Sequence, residues 1–74
     1  MSQSDYPCYR LYTESTTDLR ALLAAMDLCI HYRVAFYYSG MRCLLRAESR
    51  NRRKMDTLQR EFRERGVKSH ITRV

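Results

Sequence analysis

The chain of 74 residues reads as an α+β domain with elements in the order β-α-β-β-α-β. Three observations predict this: two stretches with apolar residues at helical spacing, short aromatic or β-branched runs around them, and a Ser-Gly pair between two of those runs. A chain this short buries only ~60 % of its unfolded surface, which allows one small core. Residues 7–74 are therefore expected to form a single domain behind a polar tail at 1–6. The hydrophobic content of 45 %, with two glycines and one proline, is that of a globular chain, unlike a disordered one.

The run from Cys8 to Thr13 (CYRLYT) predicts a first strand, with Cys8, Arg10 and Tyr12 on one face and Tyr9, Leu11 and Thr13 on the other. Ser15, Thr16, Thr17 and Asp18 supply N-cap oxygens, and Asp18 stands three residues after Ser15 as in a capping box. A helix follows to about Tyr32, with Leu19, Leu22, Leu23, Met26 and Ile30 as its apolar stripe. Val34 to Tyr38 and Met41 to Ala47 read as a hairpin around Ser39-Gly40. A two-residue loop places Tyr38 opposite Met41, Phe36 opposite Cys43 and Val34 opposite Leu45 on an apolar face. It places Tyr37 opposite Arg42, Ala35 opposite Leu44 and Arg33 opposite Arg46 on the other.

A second helix is predicted after Ser49, with Met55, Leu58 and Phe62 inward, ion pairs Asp56–Arg60 and Glu61–Arg65, and Gly66 as its stop. Val67, Ser69 and Ile71 then alternate with Lys68, His70 and Thr72 in a last strand. With right-handed crossovers this order gives a two-layer ferredoxin-like sandwich: an antiparallel sheet in the order 4-1-3-2, with both helices on one face.

The net charge of +6 is concentrated after residue 37, where eleven Arg and Lys stand against four acids. Such a field favours an acidic partner, either nucleic acid or an acidic protein. Helices covering Leu11, Phe36, Cys43, Leu45 and Ile71 leave Arg10, Tyr12, Arg33, Tyr37, Arg42, Arg46, Lys68 and His70 on an open face. Arginines interleaved with tyrosines suit single-stranded nucleic acid, because rings stack bases while guanidinium groups engage phosphates. Arg33 facing Arg46 implies an anion between them. A second cationic group, Arg50, Arg52, Arg53 and Lys54 around Asn51, opposes the positive end of the second helix and marks a candidate anion site.

Several classes are set aside. No glycine-rich phosphate loop, nucleophile elbow, HExxH or paired catalytic carboxylates occur, so no enzyme and no cofactor is expected. Cys8, Cys29 and Cys43 fit neither a disulfide framework nor a metal site and read as buried thiols; His31 and His70 lack ligand neighbours at metal spacing. No apolar run reaches membrane-spanning length and no signal peptide is evident, so a cytoplasmic protein is expected. Membrane-surface binding is disfavoured because the more apolar helix carries few cations and the basic one only three large apolar residues.

The leading expectation is a small non-enzymatic module for RNA or single-stranded DNA. Its main alternative is a regulatory or inhibitory protein of the kind phages and mobile elements encode, acting on an acidic protein. A third is a small endoribonuclease using His70, Tyr37 and the arginines. Either edge strand can also pair with a second copy.

Overall fold

The computed structural model describes residues 8–14, 18–42 and 44–74. The tail at 1–6, Ser15 with its capping box, Thr16, Thr17 and the strand position of Cys43 lie outside them. Six elements follow the expected order: β1 (Tyr9–Thr13), α1 (Leu19–His31), β2 (Ala35–Ser39), β3 (Leu44–Ser49), α2 (Arg52–Glu64) and β4 (Ser69–Arg73). The strands form one antiparallel sheet in the order β2-β3-β1-β4. Among the described residues no helix is long and apolar enough to cross a membrane.

Alternation along the strands decides which face is covered. Leu11, Leu45 and Ala47 are fully buried and share one core with Leu22, Ala25 and Cys29 of α1 and Met55, Leu58 and Phe62 of α2. Full burial of a side chain such as Leu11 or Phe62 contributes ~1.5–3 kcal/mol. Phe36, Ala47, Leu11 and Ile71 are cross-strand neighbours on this face, so the small Ala47 sits between two large side chains. Thr13 is the one buried polar side chain among the described residues. Its Oγ1 accepts the Leu45 N–H at 2.9 Å and contacts the Leu45 carbonyl at 3.4 Å, continuing the β1–β3 link where the backbone ladder ends.

The hairpin differs from expectation. Phe36 pairs with Ala47, Tyr37 with Arg46 and Ser39 with Leu44, so four positions rather than two connect the strands. Met41, expected in β3, stands 97 % exposed in that connection. Pairing with β1 explains the shift, since Tyr12 opposite Arg46 and Tyr9 opposite Ser49 draw β3 toward the later residues. The displacement is even, so every side chain keeps its face while its partner changes.

The stripe expected on α1 is also corrected. Leu22, Ala25, Leu28 and Cys29 are buried and Met26 packs partly against the core as expected, whereas Leu19, Leu23 and Ile30 are 57 %, 50 % and 63 % exposed. The small Ala25 and Cys29 allow the helix to approach the sheet closely, and Leu22 alone of the expected leucines belongs to the buried face. On α2 the inward residues are those expected. Its ion pairs are Arg52–Asp56 and Glu61–Arg65, so Asp56 reaches back toward the N-terminus rather than forward to Arg60.

Both helices start on a side-chain cap: Asp18 Oδ1 accepts the Ala21 N–H at 2.8 Å, and Asn51 Oδ1 accepts the Lys54 N–H at 3.0 Å. Both also stop in the same way. After α1 the Val34 N–H donates to the Cys29 carbonyl and Arg33 to Ile30; after α2 the Val67 N–H donates to the Phe62 carbonyl and Gly66 to Arg63. These are paired Schellman motifs, each followed by a buried valine. They require a left-handed residue, which is Gly66 at φ 79° in one and Arg33 at φ 57° in the other. Arg33 thus lies outside β2 and is not opposite Arg46.

Two measurements test these features. A glycine suits the Arg33 backbone better than arginine, so Arg33→Gly is expected to raise stability by ~0.5–1 kcal/mol and Gly66→Ala to lower it by ~1 kcal/mol, read as urea midpoints. A lowered midpoint for Arg33→Gly would show that its side chain, rather than its backbone, matters.

Burial pushes the Cys29 thiol up from 9.0 to about 12. At pH 8 such a thiol is only ~10⁻⁴ ionised, so native Cys29 is expected to resist iodoacetamide while the half-buried Cys8 reacts. Because the folded pKa is the higher one, the stability linked to neutral Cys29 is complete below pH ~9 and is lost as pH rises toward 12. Peptide mapping that finds equal labelling of Cys8 and Cys29 would overturn this.

Candidate functional site

The open face is built by the same alternation that builds the core. Burying Leu11 turns Arg10 and Tyr12 outward; burying Leu45 and Ala47 does the same for Arg46 and Glu48. The strand registers then align four of these outward side chains. Tyr12 of β1 lies between Arg46 of β3 and His70 of β4, and Arg46 lies opposite Tyr37 of β2. One row, Tyr37–Arg46–Tyr12–His70, crosses the whole sheet.

Its members touch in pairs. The Arg46 guanidinium carbon is 5.4 Å from the Tyr37 ring centroid, a cation–π contact. The rings of Tyr12 and His70 stack with centroids 5.4 Å apart and planes 21° from parallel. Tyr37, at the outer end of the row, is 58 % exposed. A depression of about 460 Å³ is lined by Tyr12, Tyr37, Ser39, Arg42, Leu44 and Arg46. Arg42 therefore reaches the expected face from the connection after β2, and not as the strand partner of Tyr37.

A carboxylate also belongs to this face. Glu48 lies on β3 two positions beyond Arg46, and one of its oxygens is 3.5 Å from Arg10 Nε and 4.0 Å from Arg46 Nε. Both Nε atoms are buried without a hydrogen-bond acceptor, so Glu48 holds the two arginines by charge and not by hydrogen bonds. The Tyr12 side chain first, and the Glu48 carboxylate second, raise the pKa of the Arg10 guanidinium. The sequence signal was its even-numbered position, matching Arg46, once β3 runs to Ser49 instead of stopping at Ala47.

The other expected residues fall elsewhere. Lys68 precedes β4 and lines a groove with Glu14, Gln59 and Arg63 at the α2 side. Arg33 occupies the turn after α1. The basic segment does not join the row: the Arg52 guanidinium lies 5.3 Å from the ring of Tyr9, whose side chain packs against the core, and its Nε bonds Asp56 at 3.0 Å. Arg53 is exposed and Lys54 half-buried, while the Lys54 N–H already has Asn51 as its acceptor. At the start of α2 the Lys54 N–H is thus satisfied from within by the Asn51 cap.

A larger groove of about 520 Å³ lies between the helices, among Asp27, His31, Tyr32, Glu61 and Arg65. Its polar groups are paired in part with each other: the Tyr32 hydroxyl donates to the Glu61 carboxylate, which also meets Arg65 Nη1 at 3.4 Å. Among the described residues no group of three or more His, Cys, Asp or Glu converges in a way that could hold a metal ion. No protein-family model, curated protein or solved structure matches the chain.

Proposed function

We propose that the chain is a small non-enzymatic module that binds single-stranded nucleic acid, RNA or DNA, on its open sheet face. The observation that carries this reading is the row Tyr37–Arg46–Tyr12–His70, which sets aromatic rings and a guanidinium side by side along one line. Four strands at a spacing of ~4.8 Å make such a row ~14 Å long, room for two or three nucleotides.

Roles follow from exposure and placement. Tyr37 is the principal stacking platform, since base–aromatic stacking contributes ~1–3 kcal/mol per base. Arg42, exposed at the rim of the depression, and Arg46, within it, meet the phosphates. His70 extends the aromatic surface to the edge strand β4. Glu48 tempers the charge between Arg10 and Arg46, so that stacking, and not bulk attraction alone, sets the affinity.

Fluorescence anisotropy with labelled RNA and DNA oligonucleotides of ~10 nucleotides tests this. Tyr37→Ala is expected to weaken binding ~10-fold or more with an unchanged salt slope. Arg42→Ala and Arg46→Ala are each expected to lower the slope of log K against log salt by ~0.7. Glu48→Gln, which frees both arginines, is expected to tighten binding and steepen that slope. Absence of binding at low salt, or a Tyr37→Ala variant with wild-type affinity, would refute the reading.

A further inference from the structure

The large apolar residues of α1 outside its buried face form a pattern that the monomer uses only in part, Met26 alone of them packing against the core. Leu19, Leu23, Met26 and Ile30 are spaced four, three and four apart, the spacing of a helix–helix seam. Leu19, Leu23 and Ile30 are at least half exposed, and Met26 is partly so. At ~100° per residue the four fall within a narrow arc, about a third of a turn from the core-facing residues. They lie equally far from the groove that α1 shares with α2. The stripe therefore faces sideways, beyond the β2 end of the sheet, because α1 packs on β2 and β3 while α2 packs on β1, β3 and β4.

The strand beneath that side is open as well. β2 is an edge strand, and its sequence AFYYS carries no charge, proline or glycine, the features that ordinarily protect an edge from pairing. The opposite edge, β4, carries His70 and Arg73. A largely exposed apolar helix stripe and an unprotected strand edge thus adjoin on one side of the molecule.

We propose that this side binds a second copy of the chain, β2 against β2 and α1 against α1, about a two-fold axis normal to the sheet. Such an axis makes both pairs antiparallel. A helix seated over β2 and β3 then lies ~10 Å from its symmetry mate, the distance at which helices pack. In the antiparallel seam Leu23 meets the other copy's Met26, and Leu19 meets its Ile30. Charge supports the same alignment. Arg20 and Asp27 flank the seam on one side, are exposed, and have no ion-pair partner among the described residues. Antiparallel pairing brings Arg20 of each copy beside Asp27 of the other, twice per dimer. A thirteen-residue helix pair alone falls short of the ~800 Å² per partner of a standard interface, and the β2 edge extends it. The expected dissociation constant is micromolar.

Sedimentation equilibrium without nucleic acid, from ~10 µM to ~1 mM, tests the proposal independently of any binding by the open face. Wild type is expected to shift from monomer to dimer, and Leu23→Glu to remain monomeric with an unchanged circular dichroism spectrum. Arg20→Asp and Asp27→Arg each bring like charges together and are expected to weaken the dimer several-fold. The double variant restores the opposite pairing, and with it the association, only if the occupant is another copy of the chain. A monomer throughout, a Leu23→Glu dimer as strong as wild type, or a double variant weaker than both single ones would overturn it.

Discussion

The molecule depends on one constraint, the burial of Leu11 in a strand that has neighbours on both sides. β1 lies between β3 and β4, so Leu11 is enclosed by Ala47 on one side and Ile71 on the other, beneath α2. With side chains alternating at a period of two, that burial also fixes which way Tyr12 points. The same holds for Arg46, whose neighbours Leu45 and Ala47 are both inside. The row on the open face is therefore the reverse side of the core. A one-residue slip of β1 would expose Leu11 and dismantle the row together, so fold and candidate site have a common origin.

The open face is a compromise between concentrating charge and tolerating it. Arg10 and Arg46 stand on adjacent strands, and Glu48 keeps their mutual repulsion in check at 3.5 Å and 4.0 Å. Ion pairs this exposed contribute little to stability. Their effect is on where the field is strongest. With Glu48 between the inner arginines, Arg42 stands apart from them, exposed at the rim of the depression that Tyr37 also lines. The basic start of α2, by contrast, belongs to the helix layer, where Arg52 lies against Tyr9.

Much of this was legible in the residues, and the rest failed for identifiable reasons. The element order and the inward sets of β1, α2 and β4 follow from local periodicity, which tertiary packing here respects, and the strand order follows from right-handed crossovers. The hairpin register does not, because a Ser-Gly pair offers a tight turn while the longer pairing of β3 with β1 requires a wider one. On α1 two apolar stripes overlap at Leu22, and periodicity cannot rank them; the sheet selects the one with small Ala25 and Cys29. Arg33 in a left-handed conformation leaves no mark in sequence, since it holds a place usually taken by glycine. Of the expected site, Arg10, Tyr12, Tyr37, Arg42, Arg46 and His70 come to the open face. Glu48 joins them because β3 runs on to Ser49, past the end at Ala47 that the sequence predicts.

The two halves of the chain repeat one plan: a central strand, a thirteen-residue helix, a left-handed turn, a buried valine and an edge strand. A half-turn through the β1–β3 pair exchanges the halves and equates β2 with β4. Were the two edges chemically alike, β2 of one molecule could add to β4 of the next, and growth would never close. The charge of Arg73 on β4 and the absence of any charged residue from β2 remove that equivalence. In the proposed pairing of β2 with β2 the assembly ends at two, so the asymmetry between otherwise matching halves is what would separate a closed pair from a filament.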